Sequence, residues 1–299
     1  MTKSKLSIGI SIFILLVFGY FLFEFNVFKN LYSILNSLNF FYLFLSLSFY
    51  LFTYLFRAKR FNVIFPSIST LDLLNVLTVH TFFNNILPFR SGEVSFPLIL
   101  KKLFNVEVSL SSTGLIFIRI LDLLSLLMFF IVSTFIISIK TSKLILLSFT
   151  LMILIALISI IVWKILSKFK DKIPIIASIF YFIRTILVPA SVGKLIAFSF
   201  LTWLFKFFSF FFIMKAGNID LNFFETVFVS TFGEATTILP IHSLGGFGTY
   251  EAGLVGGFSL IGIKVSYALT VAFYFHVLLL LMSGVLAIVG WFYLSRKLK

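Results

Sequence analysis

The sequence contains no cysteine, and few of its residues carry charge. The absence of cysteine excludes disulfide bonds and thiol-ligated metals. Charged residues make up 11% of the 299 residues, whereas soluble domains carry about 25%. Hydrophobic residues make up 61%, and the mean hydropathy is +1.16. This composition predicts an all-α, polytopic membrane protein: a single integral membrane domain over residues 1–299, without a segment polar enough for an additional soluble domain.

Acidic residues are scarce beside basic ones, which gives a formal net charge of +14. A strongly basic protein can bind nucleic acid, but here the lysines and arginines stand mainly between apolar segments, where the positive-inside rule places them. We therefore predict no nucleic-acid partner. The apolar run behind Lys3 and Lys5 resembles a signal peptide, but no small-residue cleavage site follows it, so we expect a retained first helix.

Apolar segments of roughly 20 residues, the length that crosses a bilayer, recur along the chain. Basic clusters between them, such as Arg57-Ala58-Lys59-Arg60, are expected on the cytoplasmic side. Counting from these clusters predicts about six spans in the cytoplasmic membrane, with both termini in the cytoplasm. The predicted spans are 7–23, 40–56, 109–139, 144–163, 195–214 and 266–294, and 174–189 is expected to be an interfacial or short tilted helix.

Two further segments share a pattern that ordinary hydrophobic helices lack. Residues 71–88 and 222–239 each carry polar side chains at helical spacing, end at or before a proline, and lead through a glycine-containing turn to a glutamate. A polar stripe indicates a helix beside a water-filled cavity, and proline interrupts helical hydrogen bonding. The stripes contain Asp72, Asn75, Thr78, Thr81 and Asn84 in the first segment, and Thr226, Ser230, Glu234 and Thr237 in the second.

Each striped helix is predicted to form a re-entrant pair with the short apolar segment after it, 94–100 or 249–261, and one pair is expected to enter from each face. The order span, span, hairpin, span in residues 1–140 then recurs with inverted topology in residues 141–299. Inverted repeats place a substrate site near the middle of the membrane. Alternatively, either striped helix is a full span, which would reverse the orientation of everything after it.

The first break and the span after it carry charged residues at positions where charge is costly. Arg119 and Asp122 share a helical face, and such a pair either serves function or locks two helices together. Arg90 is expected beside a helix N-terminus, where it would suit a phosphate, or paired only with Glu93. Glu93 itself suits the N-terminal end of the following helix, which Ser91 could cap.

The second break has three glycines and no arginine. Gly245, Gly246 and Gly248 permit positive φ angles and close backbone contacts. No Gly-Lys-Ser/Thr sequence follows them, so nucleotide binding is unsupported. We expect this turn to supply close packing and backbone contacts, while the first break holds an anion.

Ionisable residues in the second half could suggest a metal site, but their spacing does not support one. Glu234, His242, Glu251 and His276 match no zinc signature such as His-Glu-x-x-His. We expect proton relays or hydrogen-bonded polar pairs instead, and we predict no metal and no cofactor.

Lys206 is a lone lysine inside a predicted span. Its ammonium group either extends to the membrane interface or pairs with a carboxylate such as Glu234 or Asp122. We find no serine, histidine and aspartate at an interpretable catalytic spacing.

The residues around both breaks resemble a known family. Asn84-Asn85-Ile86-Leu87-Pro88-Phe89-Arg90-Ser91-Gly92-Glu93, followed by Arg119-Ile120-Leu121-Asp122, is similar to the transmembrane region of lysylphosphatidylglycerol synthases. Gly245-Gly246-Phe247-Gly248-Thr249-Tyr250-Glu251-Ala252-Gly253 is similar to it as well. The similarity follows most of the chain in order.

Members of that family fused to a soluble aminoacyl-transferase make lysyl-phosphatidylglycerol and move it across the bilayer. This chain has no room for the transferase, so the resemblance implies the flippase-like, lipid-translocating portion alone. Family members often carry an arginine in the last span, where this chain has Tyr274 and His276. The predicted substrate-binding residues are Asn84, Asn85, Arg90, Glu93, Arg119, Asp122, Glu234, Gly245, Gly246, Gly248, Glu251 and His276.

We therefore expect a lipid flippase or translocator for an anionic phospholipid or a lipid-linked phosphate, rather than an enzyme. One alternative is a membrane-embedded lipid transferase or hydrolase that uses Glu93, Glu251 or His242 as acid or base. Another is a carrier for a small solute, coupled or not to protons. An anionic membrane lipid is the expected partner, and a second copy of the chain or a separate lipid-modifying enzyme could also associate.

Overall fold

The structure, a computed structural model, describes residues 3–137, 150, 180, 182–184, 188–237 and 243–297. All regular secondary structure in these residues is helical. The α-helices are α1 (Lys3–Glu24), α2 (Val27–Asn36), α3 (Phe40–Ile64), α4 (Thr70–Ile86), α5 (Ser95–Phe104), α6 (Val108–Ile136), α7 (Pro189–Ala216), α8 (Phe223–Thr236), α9 (Thr249–Leu260) and α10 (Val265–Lys297).

Four of these helices, α3, α6, α7 and α10, are long and apolar enough to cross a membrane. They coincide with four of the predicted spans and confirm a multi-pass helical protein. The first predicted span belongs to a pair, α1 and α2, that is bent by 70° and could count as a fifth. The bend falls at Asn26, whose φ of 50° is left-handed, a conformation that asparagine tolerates. Segment 144–163, apart from residue 150, and most of 174–189 lie outside the described residues, so the count of about six stays a prediction.

Helix α3 continues well past the predicted end of its span at residue 56, as far as Ile64. The basic cluster at 57–60 therefore lies within α3 rather than after its end, and its expected position on the cytoplasmic side stays a prediction. Arg60 is fully buried and Arg57 is partly buried, whereas Lys59 is exposed. The residues of the cluster differ in exposure because side chains at neighbouring positions on a helix point in different directions.

Both predicted breaks are flanked by short helices. At the first break, α4 ends at Ile86, a 3-10 helix covers Pro88–Val94, and α5 follows. At the second break, α8 ends at Thr236 and a 3-10 helix covers Leu244–Gly246 before α9, while residues 238–242 lie outside the described ranges. None of α4, α5, α8 and α9 reaches 18 residues, which suits the predicted re-entrant pairs. Their entry from opposite faces stays a prediction.

The same order of elements occurs twice. Helices α3 and α4, a 3-10 helix, α5 and α6 are followed by α7 and α8, a 3-10 helix, α9 and α10. The packing is reciprocal, because α3 contacts α7, α4 contacts α10, and α8 contacts α6. The two 3-10 helices also contact each other. The two breaks, which are far apart in the sequence, therefore meet at one place in the fold.

Aromatic rings and small hydroxyls join α3 to α7. The ring of Phe49 lies 5.6 Å from that of Phe205 and 5.3 Å from that of Phe212, measured between centroids. Ser46 donates a 3.0 Å hydrogen bond to the backbone carbonyl of Ser209. Some of the 44 phenylalanines thus form the seam between the two equivalent groups of helices, where aromatic contacts add to the energy of apolar burial.

The polar stripe of α4 is only partly a cavity lining. At its N-terminal end, Asp72 accepts hydrogen bonds from Tyr293 (3.1 Å) and Lys297 of α10. A Cβ atom added to Gly290 of α10 would collide with the side chain of Thr78, so the two helices approach closely. This half of the stripe is satisfied by α10 and by the backbone of α4, and the other half faces the site described below.

Candidate functional site

A cavity of about 350 Å³ lies where the two breaks face α3, α6, α7 and α10. Its charged lining residues come from five elements, which the fold brings together from distant parts of the chain. The charged lining residues are Arg57, Arg90, Arg119, Asp122, Lys206 and Glu234. Hydroxyl and aromatic side chains of α3, α7 and α9 complete the polar wall, and leucines and isoleucines of α6 and α10 form an apolar wall.

Glu93 holds two arginines at the edge of this cavity. Its Oε1 atom accepts hydrogen bonds from Nη2 of Arg90 and Nη2 of Arg119, both at 2.8 Å, and from Nδ2 of Asn84 at 3.2 Å. The expected capping of α5 is wrong, because Ser91 donates to the carbonyl of Pro88 and no side chain caps that helix. Glu93, which lies just before α5, is therefore the shared partner of two guanidinium groups.

The conformation of Arg90 is unusual for a side chain of its size. Its φ angle is 54°, in the left-handed region, where L residues other than glycine, asparagine and aspartate are uncommon. The nearby Gly92 allows the 3-10 helix to lie against α4, since an added Cβ atom would be 2.5 Å from the Cα atom of Asn84. This close contact and the bond to Glu93 together fix the guanidinium at the cavity wall.

Asp122 has a closer partner than the expected Arg119. Arg60 of α3 approaches both of its oxygens, with Nη1 to Oδ1 at 2.7 Å and Nη2 to Oδ2 at 3.3 Å. The indole of Trp203 donates to Oδ1 at 3.0 Å. Nη1 of Arg119 is 3.9 Å from Oδ2. Arg119 and Asp122 share a face as predicted, but the closest partner of Arg119 is Glu93 and that of Asp122 is Arg60.

Arg57 lines the cavity, and none of the described carboxylates pairs with it. It donates a 2.9 Å hydrogen bond to Oγ1 of Thr81, and its Cζ atom lies 5.4 Å from the centroid of the Tyr54 ring. Among the described residues, no carboxylate forms an ion pair with it within 4.0 Å. Its direct contacts among the described residues are a hydroxyl dipole and a ring face, which are weaker partners than a carboxylate.

Basic side chains outnumber acidic ones at this site. Among the described residues, five basic side chains accompany three acidic ones at this site, an excess of two positive charges when the Glu251–His276 pair is left out. The basic residues are Arg57, Arg60, Arg90, Arg119 and Lys206, and the acidic ones are Glu93, Asp122 and Glu234.

Lys206 pairs with Glu234, which confirms one of the two interpretations of this lysine. Its Nζ atom is 2.6 Å from Oε2 of Glu234. The hydroxyl of Tyr250 donates to the other oxygen, Oε1, at 3.2 Å. The lysine therefore bridges α7 and α8 at the cavity wall.

The glycine turn lies beside a buried glutamate–histidine pair. Glu251 accepts a 2.7 Å hydrogen bond from the backbone N–H of Gly248 and lies 2.7 Å from Nδ1 of His276. Gly245, Gly246 and Gly248 have positive φ angles, as expected. Gly245 and His276 line the cavity, whereas Glu251 is fully buried behind them.

The described residues do not form a cluster of metal ligands. Within the described ranges, no group of three histidine, aspartate or glutamate side chains is placed to hold a metal ion. His242, which the metal interpretation included, lies outside those ranges.

Both breaks lie within a segment that matches a known family. A comparison with protein families matches residues 6–287 to the lysylphosphatidylglycerol synthase transmembrane region. The chain belongs to this family. The match covers most of the chain and implies a membrane function related to lipids, and no synthase domain is evident in the sequence. No curated protein and no solved structure matches the chain.

The site in this lysylphosphatidylglycerol synthase transmembrane region brings together most of the residues predicted for it. Eight of them line the cavity: Asn84, Asn85, Arg90, Arg119, Asp122, Glu234, Gly245 and His276. Glu93 and Glu251 contact lining residues instead, and Gly246 and Gly248 shape the turn behind Gly245.

Sequence reasoning missed the contribution of α3 to the site. Arg57, Tyr50 and Tyr54 line the cavity, and Arg60 binds Asp122 from behind the wall. One signal was available, since Arg57 and Arg60 are three residues apart and so share a face of the helix. That face also contains Tyr50 and Tyr54 at helical spacing, whereas an exposed cationic flank does not need such a pattern.

Proposed function

We propose that this protein translocates a lipid with an anionic headgroup across the membrane. The observation that carries this proposal is Arg57, a cation at the cavity wall without an acidic partner among the described residues. Arg90 and Arg119 support it, because the two share one carboxylate oxygen of Glu93. A buried surplus of positive charge is costly unless an anion completes it.

The donors at this wall suit a phosphate group. Guanidinium groups present parallel N–H donors that match phosphate oxygens. Among the described residues, Arg57 uses only Nη1 in a hydrogen bond. Moving a charged headgroup through bare hydrocarbon would cost on the order of tens of kcal/mol. The arginines and hydroxyls would replace the water that the headgroup leaves behind.

The apolar wall gives the acyl chains a way to remain outside. Ile116 and Ile120 of α6 line the cavity, and they are also 61% and 43% exposed. An apolar edge open to the surroundings can face lipid tails while the headgroup stays among the charged residues. A cavity for a small soluble solute would not require such an edge.

The repeated order of elements supports alternating access. We infer that α3–α6 and α7–α10 form an inverted repeat in the cytoplasmic membrane, with both chain termini in the cytoplasm. Rocking of one group against the other along α3 and α7 would expose the cavity to each side in turn. The two breaks meet at the cavity, so this motion would change the contacts of the headgroup most.

The test is lipid movement by purified protein in vesicles that contain a fluorescent phosphatidylglycerol. We expect Arg57→Gln to lower the rate at least about tenfold, since a charge-assisted contact is lost. The matched control is Lys59→Gln, an exposed lysine two residues away on the same helix, which should leave the rate unchanged. Equal rates in wild type and Arg57→Gln would contradict the proposal.

Two further measurements separate the rival activities. The molecular mass of the recovered labelled lipid is measured by mass spectrometry, and a change in that mass would indicate a transferase or hydrolase. Entry of radiolabelled glycerol phosphate into the same vesicles, without lipid movement, would indicate a carrier for a soluble anion.

A further inference from the structure

A buried glutamate and a histidine of the cavity wall form a pair that can bind a proton. Nδ1 of His276 lies 2.7 Å from Oε1 of Glu251, so one hydrogen joins an imidazole nitrogen to a carboxylate oxygen. The side chain of Glu251 is fully buried, whereas that of His276 is 7% exposed and lines the cavity. A proton from the cavity therefore reaches the pair through the imidazole, the side chain that gains and loses protons most readily near neutral pH.

One proton changes the charge of this pair by one unit. With a single hydrogen between Nδ1 of His276 and Oε1 of Glu251, the pair carries one negative charge. A further proton on the second ring nitrogen makes the pair neutral overall. Like charges in one cavity oppose each other, so an anion that enters the cavity favours the neutral form.

Titratable groups face the pair across the cavity. The ring centroid of Tyr250, on α9, lies 4.6 Å from that of His276, and its hydroxyl donates to Glu234 of α8. Glu234 is paired with Lys206 of α7. The other titratable lining residues are Tyr50, Tyr54, Arg57, Arg90, Arg119 and Asp122. Among the described residues, Asp122 and Glu234 have arginine or lysine partners within 4.0 Å, whereas Glu251 has only the histidine.

The titratable groups of the other neighbouring helices bond elsewhere or are exposed. Tyr274, two residues before His276 on α10, donates to a backbone carbonyl of α7. Helix α4 packs along α10, but its Asp72 and His80 bond to side chains outside the pair. The exposed titratable residues of α1 and α2 are Tyr20, Glu24, Lys29 and Tyr32. The charge of the pair is therefore set by its own proton and by the contents of the cavity.

The pair also holds the glycine turn. Oε2 of Glu251 accepts a 2.7 Å hydrogen bond from the backbone N–H of Gly248, whose φ angle is 85°. A charged carboxylate holds an N–H donor more strongly than a neutral acceptor does. The 3-10 helix of this turn contacts that of the first break. A proton on the pair therefore acts on the place where the two breaks meet.

We propose that Glu251 and His276 bind one proton together with the headgroup phosphate and carry it across the membrane, so that the protein is a proton–lipid symporter. This inference rests on the proposed lipid translocation and adds an energy source to it. An anion at Arg57 favours the proton-bound pair, and the bound proton favours the anion by the same factor, because coupling between two binding sites is reciprocal. When the lipid leaves, the imidazole returns the proton to the solution on the other side.

The competing interpretation is that the pair only closes the glycine turn. In that case, removing its charge would weaken the protein and slow lipid movement, but it would not change where the lipid collects. The steady-state distribution of a lipid between the two leaflets separates the interpretations, because a slower protein reaches the same distribution at a later time.

The experiment uses the full-length protein in phosphatidylcholine vesicles with a trace of fluorescent phosphatidylglycerol and a pH difference of about one unit across the membrane. A membrane-impermeant reductant destroys the fluorophore in the outer leaflet and so measures the distribution. For wild type, we expect phosphatidylglycerol to collect in the leaflet that faces the more alkaline side, approaching a ratio of about tenfold for one proton per lipid. An ionophore that removes the pH difference should return the ratio to about one.

A double variant removes the proton site and keeps its hydrogen bonds. His276→Gln combined with Glu251→Gln leaves two amides, which donate and accept but do not titrate near neutral pH. We expect a ratio of about one for this variant, at whatever rate it moves lipid. The matched control is His80→Gln, which replaces a fully buried histidine outside the cavity lining and should keep the wild-type ratio.

Several outcomes would overturn the inference. A wild-type ratio in the double variant would show that the pair carries no proton. Collection of the lipid on the acidic side would contradict symport. If the double variant does not fold, Glu251→Gln takes its place, because its amide oxygen can still accept from Gly248. We expect a ratio below about twofold for Glu251→Gln, since the carboxylate that favours the imidazolium is gone, and a ratio equal to that of wild type would overturn the inference.

Binding is measured apart from transport, so that the two proposals can fail separately. Fluorescence anisotropy of the labelled phosphatidylglycerol with the protein in detergent gives the affinity between about pH 6 and about pH 8. We expect the affinity of wild type to fall severalfold as the pH rises, and that of the double variant to stay constant. If wild type moves no lipid, the proposed translocation fails, and the pH dependence of binding still decides the proton site. A wild-type affinity that is independent of pH would overturn that site, and so would lipid movement with equal leaflets under the pH difference.

Discussion

Arg60 of α3 and Asp122 of α6, which are 62 positions apart in the sequence, form a two-point ion pair with a shortest distance of 2.7 Å. The arginine side chain is fully buried, and the carboxylate is nearly so. Ser199 also accepts from the guanidinium, so the pair links α3, α6 and α7. Arg60 lies behind the cavity wall and holds Asp122, which lines the cavity, in a position where Arg119 reaches it only at 3.9 Å.

Replacing Arg60 by leucine should destabilise the protein by about 3–5 kcal/mol, since it leaves Asp122 buried without its closest cation. The loss would be measured as a fall in the thermal unfolding midpoint of the purified protein in detergent. Arg60→Leu with Asp122→Leu removes both charges and should recover most of the stability. If the single variant were as stable as wild type, the pair would not be a structural link.

The burial of Arg57 and Arg60 could not be predicted from the sequence. Apolar length and basic clusters predicted where α3, α6, α7 and α10 lie, and the prolines and glycines predicted both breaks. The same reasoning treated Arg57 and Arg60 only as part of a basic cluster on the cytoplasmic side, because lysines and arginines that follow an apolar run have that meaning in most membrane proteins. Their burial depends on partners that only the fold supplies, Asp122 and Thr81.

The site residues show the same limit in another form. Arg90, Glu93 and Arg119 were predicted to belong to the site, but the sharing of one carboxylate oxygen by both arginines was not. A charged residue inside a membrane span has a high free-energy cost and so needs a partner, but the sequence does not identify that partner. Partners come from the packing of turns and helices that are remote in sequence.

Gly92 should be intolerant of any side chain. A Cβ atom there would lie 2.5 Å from backbone atoms of α4, so Gly92→Ala must push the 3-10 helix away from α4. We expect a loss of at least about 2 kcal/mol in the free energy of unfolding, together with slower lipid movement, because Arg90 lies in the displaced turn.

Gly193→Ala provides the matched control for that substitution. Gly193 is exposed on α7, and a Cβ atom added to it would meet no atom within 4 Å. Alanine favours a helix over glycine by up to about 1 kcal/mol, so this variant should be as stable as wild type or more stable. A Gly92→Ala protein with the unfolding midpoint of Gly193→Ala would show that the turn can move freely.

The proposed inverted repeat makes a prediction about two equivalent loops. Lys101 lies near the end of α5, before α6, and Lys264 lies between α9 and α10. Both side chains are exposed, and the chain has no cysteine of its own, so Lys101→Cys and Lys264→Cys can each be labelled without background. In intact cells, a membrane-impermeant maleimide should label position 264 and should reach position 101 only after the membrane is opened. Equal labelling of both positions from one side would place the two loops on the same face, and the two groups of helices would then be related by a parallel rather than an inverted arrangement.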